Sequence, residues 1–142
     1  MTSERPFKPD AILHVHLLLV DDEDDFRDIM NKRISRFGIH LNLATCCLDA
    51  LASMETQPAD VVIMDVSMPG LDGIQCLGKV KERWPLTEVI ILTGHASVKS
   101  GIDGMQRGAF DYCLKPIDVM ELLEKVELAA QKALINKEEG MA

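Results

Sequence analysis

Five short apolar runs, separated by helical segments, constrain this chain more than any other feature. They are "HVHLLLV" (14–20), "LNLA" (41–44), "VVIM" (61–64), "VIIL" (89–92) and "DYCL" (111–114). Runs of this length, rich in Val, Ile and Leu, suit parallel strands buried on both faces. Parallel neighbours need crossover connections, and the intervening segments carry helical periodicity. Phe26, Ile29, Met30, Ile34 and Phe37 share one face of a first helix after "DDED", and Gly38 stops it. A second helix runs from about Cys46 to Met54, with Leu48, Leu51 and Ala52 inward, and ends before Pro58. A third, from about Ile74 to Arg83, stops before Pro85. The fourth, about Ser97 to Arg107, carries a stripe of Val98, Ile102 and Met105. The fifth, about Asp118 to Lys137, turns Val119, Leu122, Leu123, Val126, Ala130 and Ala133 inward. Asp118 and Glu121 have capping-box spacing, with Asp in the Ser/Thr place. Strand then helix, five times over, predicts one α/β domain with a mostly parallel sheet between two helical layers.

A chain of 142 residues has the size of one domain. Residues 1–13 read as a flexible leader, 14–138 as the domain and 139–142 as a tail. Hydrophobic residues make up 47% but aromatics only 4%, so the core is aliphatic. The net charge of −8 counts against direct nucleic-acid binding, which rests on neutralising phosphates. No apolar run approaches the roughly 20 residues of a membrane span. "MTSERPFKPD" has no signal-peptide core. A cytoplasmic location without membrane contact is the expectation. Cys46, Cys47, Cys76 and Cys113 have neither zinc-site nor redox-motif spacing. They are expected to be reduced thiols serving as small hydrophobes. His14 and His16 alternate on the first run and are expected to be packing or edge residues, as is Trp84 at the end of the third helix.

The polar residues fall at the ends of the runs. The first ends in Asp21 and Asp22, the third in Asp65, the fourth in Thr93, and the fifth in Lys115 and Pro116. In a parallel sheet all these tips share one edge, and ligands of open α/β sheets bind beyond it. Three carboxylates brought together repel, and a hard divalent cation relieves the repulsion. The cluster holds no His or Cys, which favours Mg²⁺ over zinc or copper. Lys115 offers a mobile point charge and Thr93 a hydroxyl. The set suits a phosphoryl group on one carboxylate beside a metal.

Together, "LLLVDDE", "VVIMDVSMPGLDG", "VIILTGHAS" and "GAFDYCLKP" resemble the receiver domain of bacterial two-component response regulators, over about residues 14 to 138. The resemblance implies a doubly wound, flavodoxin-like α/β fold, with a five-stranded parallel sheet of order 2-1-3-4-5 and five helices. It implies that Asp65 is the phosphoacceptor. Mg²⁺, with Mn²⁺ as a substitute, would be held by Asp22 and Asp65, by Asp21 through a water, and by the backbone carbonyl of Ser67. Thr93 and Lys115 would bind the phosphoryl group, Tyr112 would be the aromatic switch, and the bond to Pro116 would be cis. Ser67 and His95 occupy positions that tune dephosphorylation in the family, and Gly94 keeps the approach to the phosphate open. The donor would be a phosphohistidine on a sensor kinase or phosphotransfer protein. Output would leave through the face of helix 4, strand 5 and helix 5, to an output domain, a target protein or a second copy.

Two other classes compete. A haloacid-dehalogenase-type phosphohydrolase would use Asp22 and Asp24 after strand one. That leaves Asp65 without a role, no acidic pair follows Lys115, and no cap is inserted. A binding module that has lost phosphorylation is at odds with the presence of all five site residues. Gly101 and Gly104 leave two readings of the fourth helix: a weak helix able to shift, at a cost of roughly 1 kcal/mol per glycine, or close packing.

Overall fold

The computed structural model describes residues 9–66, 73–94 and 98–140. Five strands, β1 (Leu17–Val20), β2 (Leu41–Ala44), β3 (Val61–Asp65), β4 (Glu88–Thr93) and β5 (Asp111–Leu114), form one sheet of order β2-β1-β3-β4-β5. Every neighbouring pair is parallel. The helices are α1 (Asp24–Ser35), α2 (Cys47–Thr56), α3 (Gly73–Arg83), α4 (Val98–Gln106) and α5 (Val119–Gly140). This is the doubly wound, flavodoxin-like arrangement expected from the sequence.

Strand residues divide alternately between two apolar layers. Leu17, Leu19, Val61, Ile63, Ile90 and Leu92 pack with α1 and α5, through Met30, Ile34, Leu122 and Val126. Leu18, Val20, Val62, Met64, Val89 and Ile91 pack with α2 and α3, through Ala50, Met54, Leu77 and Val80. β1, β3 and β4 are buried on both faces, which explains why their runs lack polar alternation, whereas the edge strands β2 and β5 leave Leu43, Tyr112 and Leu114 exposed, against the expectation for those two runs. Each enclosed Val, Leu or Ile contributes about 1.5–3 kcal/mol.

Several expectations are corrected. Ile12, assigned to the leader, is fully buried in the α1/α5 layer, and a 3₁₀ turn at Pro9–Ile12 leads into it. β1 begins at Leu17, and His14 and His16 are exposed before it. α2 turns Cys47, Ala50 and Met54 inward, while Leu48 is 77% exposed and Ala52 is also outside. Ile29, Ile102 and Met105 face outward. Val98 is outside the residues whose side chains are described. Among the α4 residues whose burial is described, the buried position is Gly104, where a Cβ would lie 2.2 Å from Ile91 Cδ1. That favours close packing as the reason for this glycine. Cys47 and Cys76 are joined in a disulfide, not free thiols, because α2 and α3 pack side by side with the two Cα atoms 5.7 Å apart. A sequence separation of 29 residues gave no sign of that pairing.

Two other expectations hold. Asp118 Oδ1 accepts the Met120 N–H at 3.0 Å and caps α5, the Asp half of the expected capping box, while Glu121 lies 4.0 Å from Lys125 Nζ. Cys113 is buried in the core.

Candidate functional site

Register aligns the strand tips. Val20 pairs with Met64, so Asp21 and Asp65 follow side by side, and Thr93 pairs with Leu114, directly before Lys115. Asp21 and Asp65 are buried and Asp22 is exposed. One ligand atom from each of Asp21, Asp22 and Asp65 lies within 4.8 Å of the others. Such a donor set, all carboxylate oxygen with one open side, fits a hard divalent cation that keeps several waters.

Lys115 bridges the acidic groups. Its Nζ donates to Asp21 Oδ2 at 3.0 Å and lies 3.6 Å from Asp65 Oδ2 and 3.7 Å from Glu23 Oε1. The Phe26 ring sits beneath the ammonium, 4.3 Å from ring centre to nitrogen. Burial disfavours the lysine charge, but the Asp21 hydrogen bond and the fields of Asp21, Asp65 and Glu23 outweigh it and raise the pKa above 10.5. The Lys115 N–H donates to the Thr93 carbonyl at 2.8 Å, and the Lys115–Pro116 bond is cis.

Thr93 is fully buried, and among the described residues its hydroxyl has no hydrogen-bond partner. A buried hydroxyl without a partner costs about 1–3 kcal/mol, so such a group commonly awaits a ligand or an ordered water. Gly94 follows, and a Cβ there would meet no described atom within 4 Å. Tyr112 lies outward, 41% exposed, with Lys125 Nζ 5.8 Å from its ring centre. Ser67 and His95 lie outside the described residues.

Three supporting residues were not recognised from the sequence. The Glu23 N–H donates to Asp21 Oδ1 at 2.9 Å. Arg27 Nη1 donates to the Asp21 carbonyl at 2.6 Å, and Arg27 also pairs with Asp24. Phe26, placed in the sequence only on the inner face of α1, is the platform for Lys115. Their signal lay in the first turn of α1, where position 27 returns over the loop that carries Asp21.

Glycine at 73 lets α3 start against this site. A Cβ on Gly73 would lie 2.2 Å from the Asp65 carbonyl oxygen and 2.5 Å from Val66 Cα. The first turn of α3 therefore rests on the backbone of the β3 tip.

Known proteins resemble this chain in sequence and fold. The family model described as the response regulator receiver domain matches residues 17–127. The DNA-binding transcriptional regulator NtrC of Proteus hauseri is 34% identical over 111 residues, covering 78% of this chain and 24% of that protein. The regulatory protein AtoC of Escherichia coli is 35% identical over 122 residues, covering 86% of this chain and 26% of its own length. This chain thus spans about a quarter of these relatives. Among solved structures, NtrX from Brucella abortus superposes with a TM-score of 0.83 at 28% identity, covering 89% of this chain and 29% of that one. The isolated receiver domain of the same protein gives 0.77 at 30% identity, covering 81% and 98%. With the order of its strands, the acidic cluster at their tips and these matches in agreement, the chain belongs to the response regulator receiver domain family, the phosphorylation-controlled switches of two-component signalling.

Proposed function

We propose that Asp65 is the phosphoacceptor of this receiver and takes its phosphoryl group from a phosphohistidine on a sensor kinase or phosphotransfer protein. One observation carries the reading: a buried Asp65 faces Lys115 beside Asp21 and Asp22, with carboxylate oxygens within 4.8 Å of one another. An Asp65 oxygen attacks phosphorus, the P–N bond breaks, and an acyl phosphate forms as the histidine nitrogen leaves. Asp21, Asp22, Asp65 and the Ser67 carbonyl would hold Mg²⁺, or Mn²⁺ in its place. When bound, that ion neutralises charge on the phosphoryl oxygens. Lys115 pairs with one of those oxygens, and the Thr93 hydroxyl, without a partner among the described residues, donates to another. Water later attacks the phosphorus, releases inorganic phosphate and restores Asp65.

Tyr112 turns inward as Thr93 engages the phosphate. The change leaves through α4, β5 and α5, whose outer surfaces carry Ile102, Met105, Tyr112, Leu114 and Met120 at 41–53% exposure. An apolar surface of that kind suits an output domain, a target protein or a second copy. The cytoplasm is the compartment assigned. Among the described residues no helix is long and apolar enough to cross a membrane.

Acetyl phosphate tests the reading. Intact mass is expected to rise by one phosphoryl group in the wild type, only with Mg²⁺ or Mn²⁺ present, and not at all in Asp65→Asn. Equal labelling of the Asp65→Asn chain would move the acceptor elsewhere.

A further inference from the structure

The Cys47–Cys76 pair lies outside the phosphoacceptor chemistry. Cys47 is the first residue of α2 and Cys76 lies in the first turn of α3. Both are buried, at 3% and 0% exposure, and Cys46 beside them is free and exposed. In a reducing compartment a disulfide is seldom a permanent staple and more often a redox response.

Its location connects it to the strand tips. Cys47 and Cys76 share an apolar layer with Val20, Met64 and Val66. Val20 immediately precedes Asp21, and Met64 and Val66 flank Asp65. Cys76 is three residues after Gly73, which rests against the Asp65 carbonyl. The cross-link therefore fastens α2 to α3 in the layer that supports two of the three carboxylates.

We propose that Cys47 and Cys76 form a reversible dithiol–disulfide site, linked thermodynamically to the divalent-cation site at Asp21, Asp22 and Asp65. The linkage rests on the metal-dependent receiver reading above. In oxidation the Cys47 thiolate attacks a low-molecular-weight disulfide such as glutathione disulfide, and one thiol leaves. The Cys76 thiolate then attacks the Cys47 sulfur, and the second thiol leaves. The two protein thiols lose two electrons and two protons, and the small disulfide departs as two thiols carrying them. Cross-linking removes freedom from the layer beneath carboxylates that repel one another. The oxidised chain thus loses less conformational entropy when it closes on a cation, and binds it more tightly. Coupling is reciprocal: the factor by which oxidation tightens Mg²⁺ is the factor by which Mg²⁺ favours the disulfide.

The test equilibrates the chain in glutathione buffers of graded ratio, with and without saturating Mg²⁺. Alkylation after acid quench and denaturation, followed by intact mass, counts the thiols. Four alkylated cysteines are expected in reducing buffer; in oxidising buffer Cys113 is alkylated and exposed Cys46 is either alkylated or capped by one glutathione, which its mass distinguishes. Cys46→Ser should leave the pair intact, and Cys47→Ser should abolish it. Mg²⁺ should shift the midpoint toward the disulfide by about fivefold in the ratio of squared thiol to disulfide, the low end of couplings between sites. Asp65→Asn should erase the shift while leaving the pair. Four thiols at every ratio, or a disulfide that joins Cys46 to another cysteine of the chain, overturns the site. A midpoint indifferent to Mg²⁺ overturns the linkage. Acetyl phosphate labelling is scored separately. Failure to label with the Mg²⁺ shift intact counts against the phosphoacceptor reading alone.

Discussion

At the scale of single residues, the charge on Lys115 is balanced between burial and its acidic neighbours, and the neighbours win. Its folded pKa is raised above 10.5, so the folded state holds this proton more tightly than the unfolded chain does. The stabilisation is fully present below 10.5 and is lost as pH climbs through the folded value. The stability difference between wild type and Lys115→Met, from urea midpoints, is therefore expected to shrink above about pH 10.5 and to stay level between pH 7 and 9. A difference that grows with alkalinity would contradict it. Cys113 shows the opposite balance of solvation and reactivity. Burial is the main cause that raises its thiol to about 11. At pH 8, iodoacetamide should modify exposed Cys46 in the native chain and reach Cys113 only after unfolding. That Asp21, Asp22, Asp65, Thr93 and Lys115 gather at the strand tips was legible, because each follows the end of an apolar run. The supports at Glu23, Phe26 and Arg27 were not, because they act across a turn whose geometry periodicity does not encode.

Elements were legible in type and order, less so in which face they bury. In α2 the sequence "CLDALASMET" is apolar on several sides, and of Leu48, Leu51 and Ala52, expected inward, Leu51 packs against the core while Leu48 and Ala52 face out. The structure puts Cys47, Ala50 and Met54 inward, on the side where α2 packs beside α3 and Cys47 meets Cys76. α4 fails similarly: Gly104 lets the helix approach β4 closely and leaves Ile102 and Met105 outside. Helix ends, where capping chemistry is local, read better. Replacing Asp118 with Ala removes the oxygen that accepts the Met120 N–H, and should cost about 1 kcal/mol in a denaturant titration. Gly73→Ala is a harsher change. Its methyl would meet the Asp65 carbonyl and Val66 Cα, which are backbone atoms unable to rotate away. A loss of about 1–3 kcal/mol or more is expected, with weaker Mg²⁺ binding by calorimetry. An unchanged midpoint and affinity would show that α3 does not bear on the β3 tip.

For the whole molecule, the two ends of the sheet carry different tasks. The C-terminal edge gathers the carboxylates of Asp21, Asp22 and Asp65. The N-terminal edge encloses Glu88, 1% exposed, between Lys81 at 3.8 Å and Lys132 at 3.6 Å, which come from α3 and α5. Neither partner was legible: Lys132 comes from a distant segment, and Lys81, on the last turns of α3, reaches Glu88 only through the turn that leads into β4. Ile12 belongs to that second end. It precedes β1, touches the α1/α5 layer and is fully enclosed, although the sequence around it has neither strand nor helix periodicity. Its burial makes residues that read as a leader part of the folded unit. Ile12→Ala should lower stability by about 2–5 kcal/mol, as large-to-small changes in a packed core do. The urea midpoint should fall with an unchanged slope, because the surface exposed on unfolding stays nearly the same. Because the substitution lies at the far edge from Asp65, phosphoryl uptake from acetyl phosphate should be retained below the unfolding transition. A cost under about 0.5 kcal/mol, typical of surface sites, would return Ile12 to the leader. A loss of uptake in a chain still folded would show instead that the two edges of the sheet are coupled.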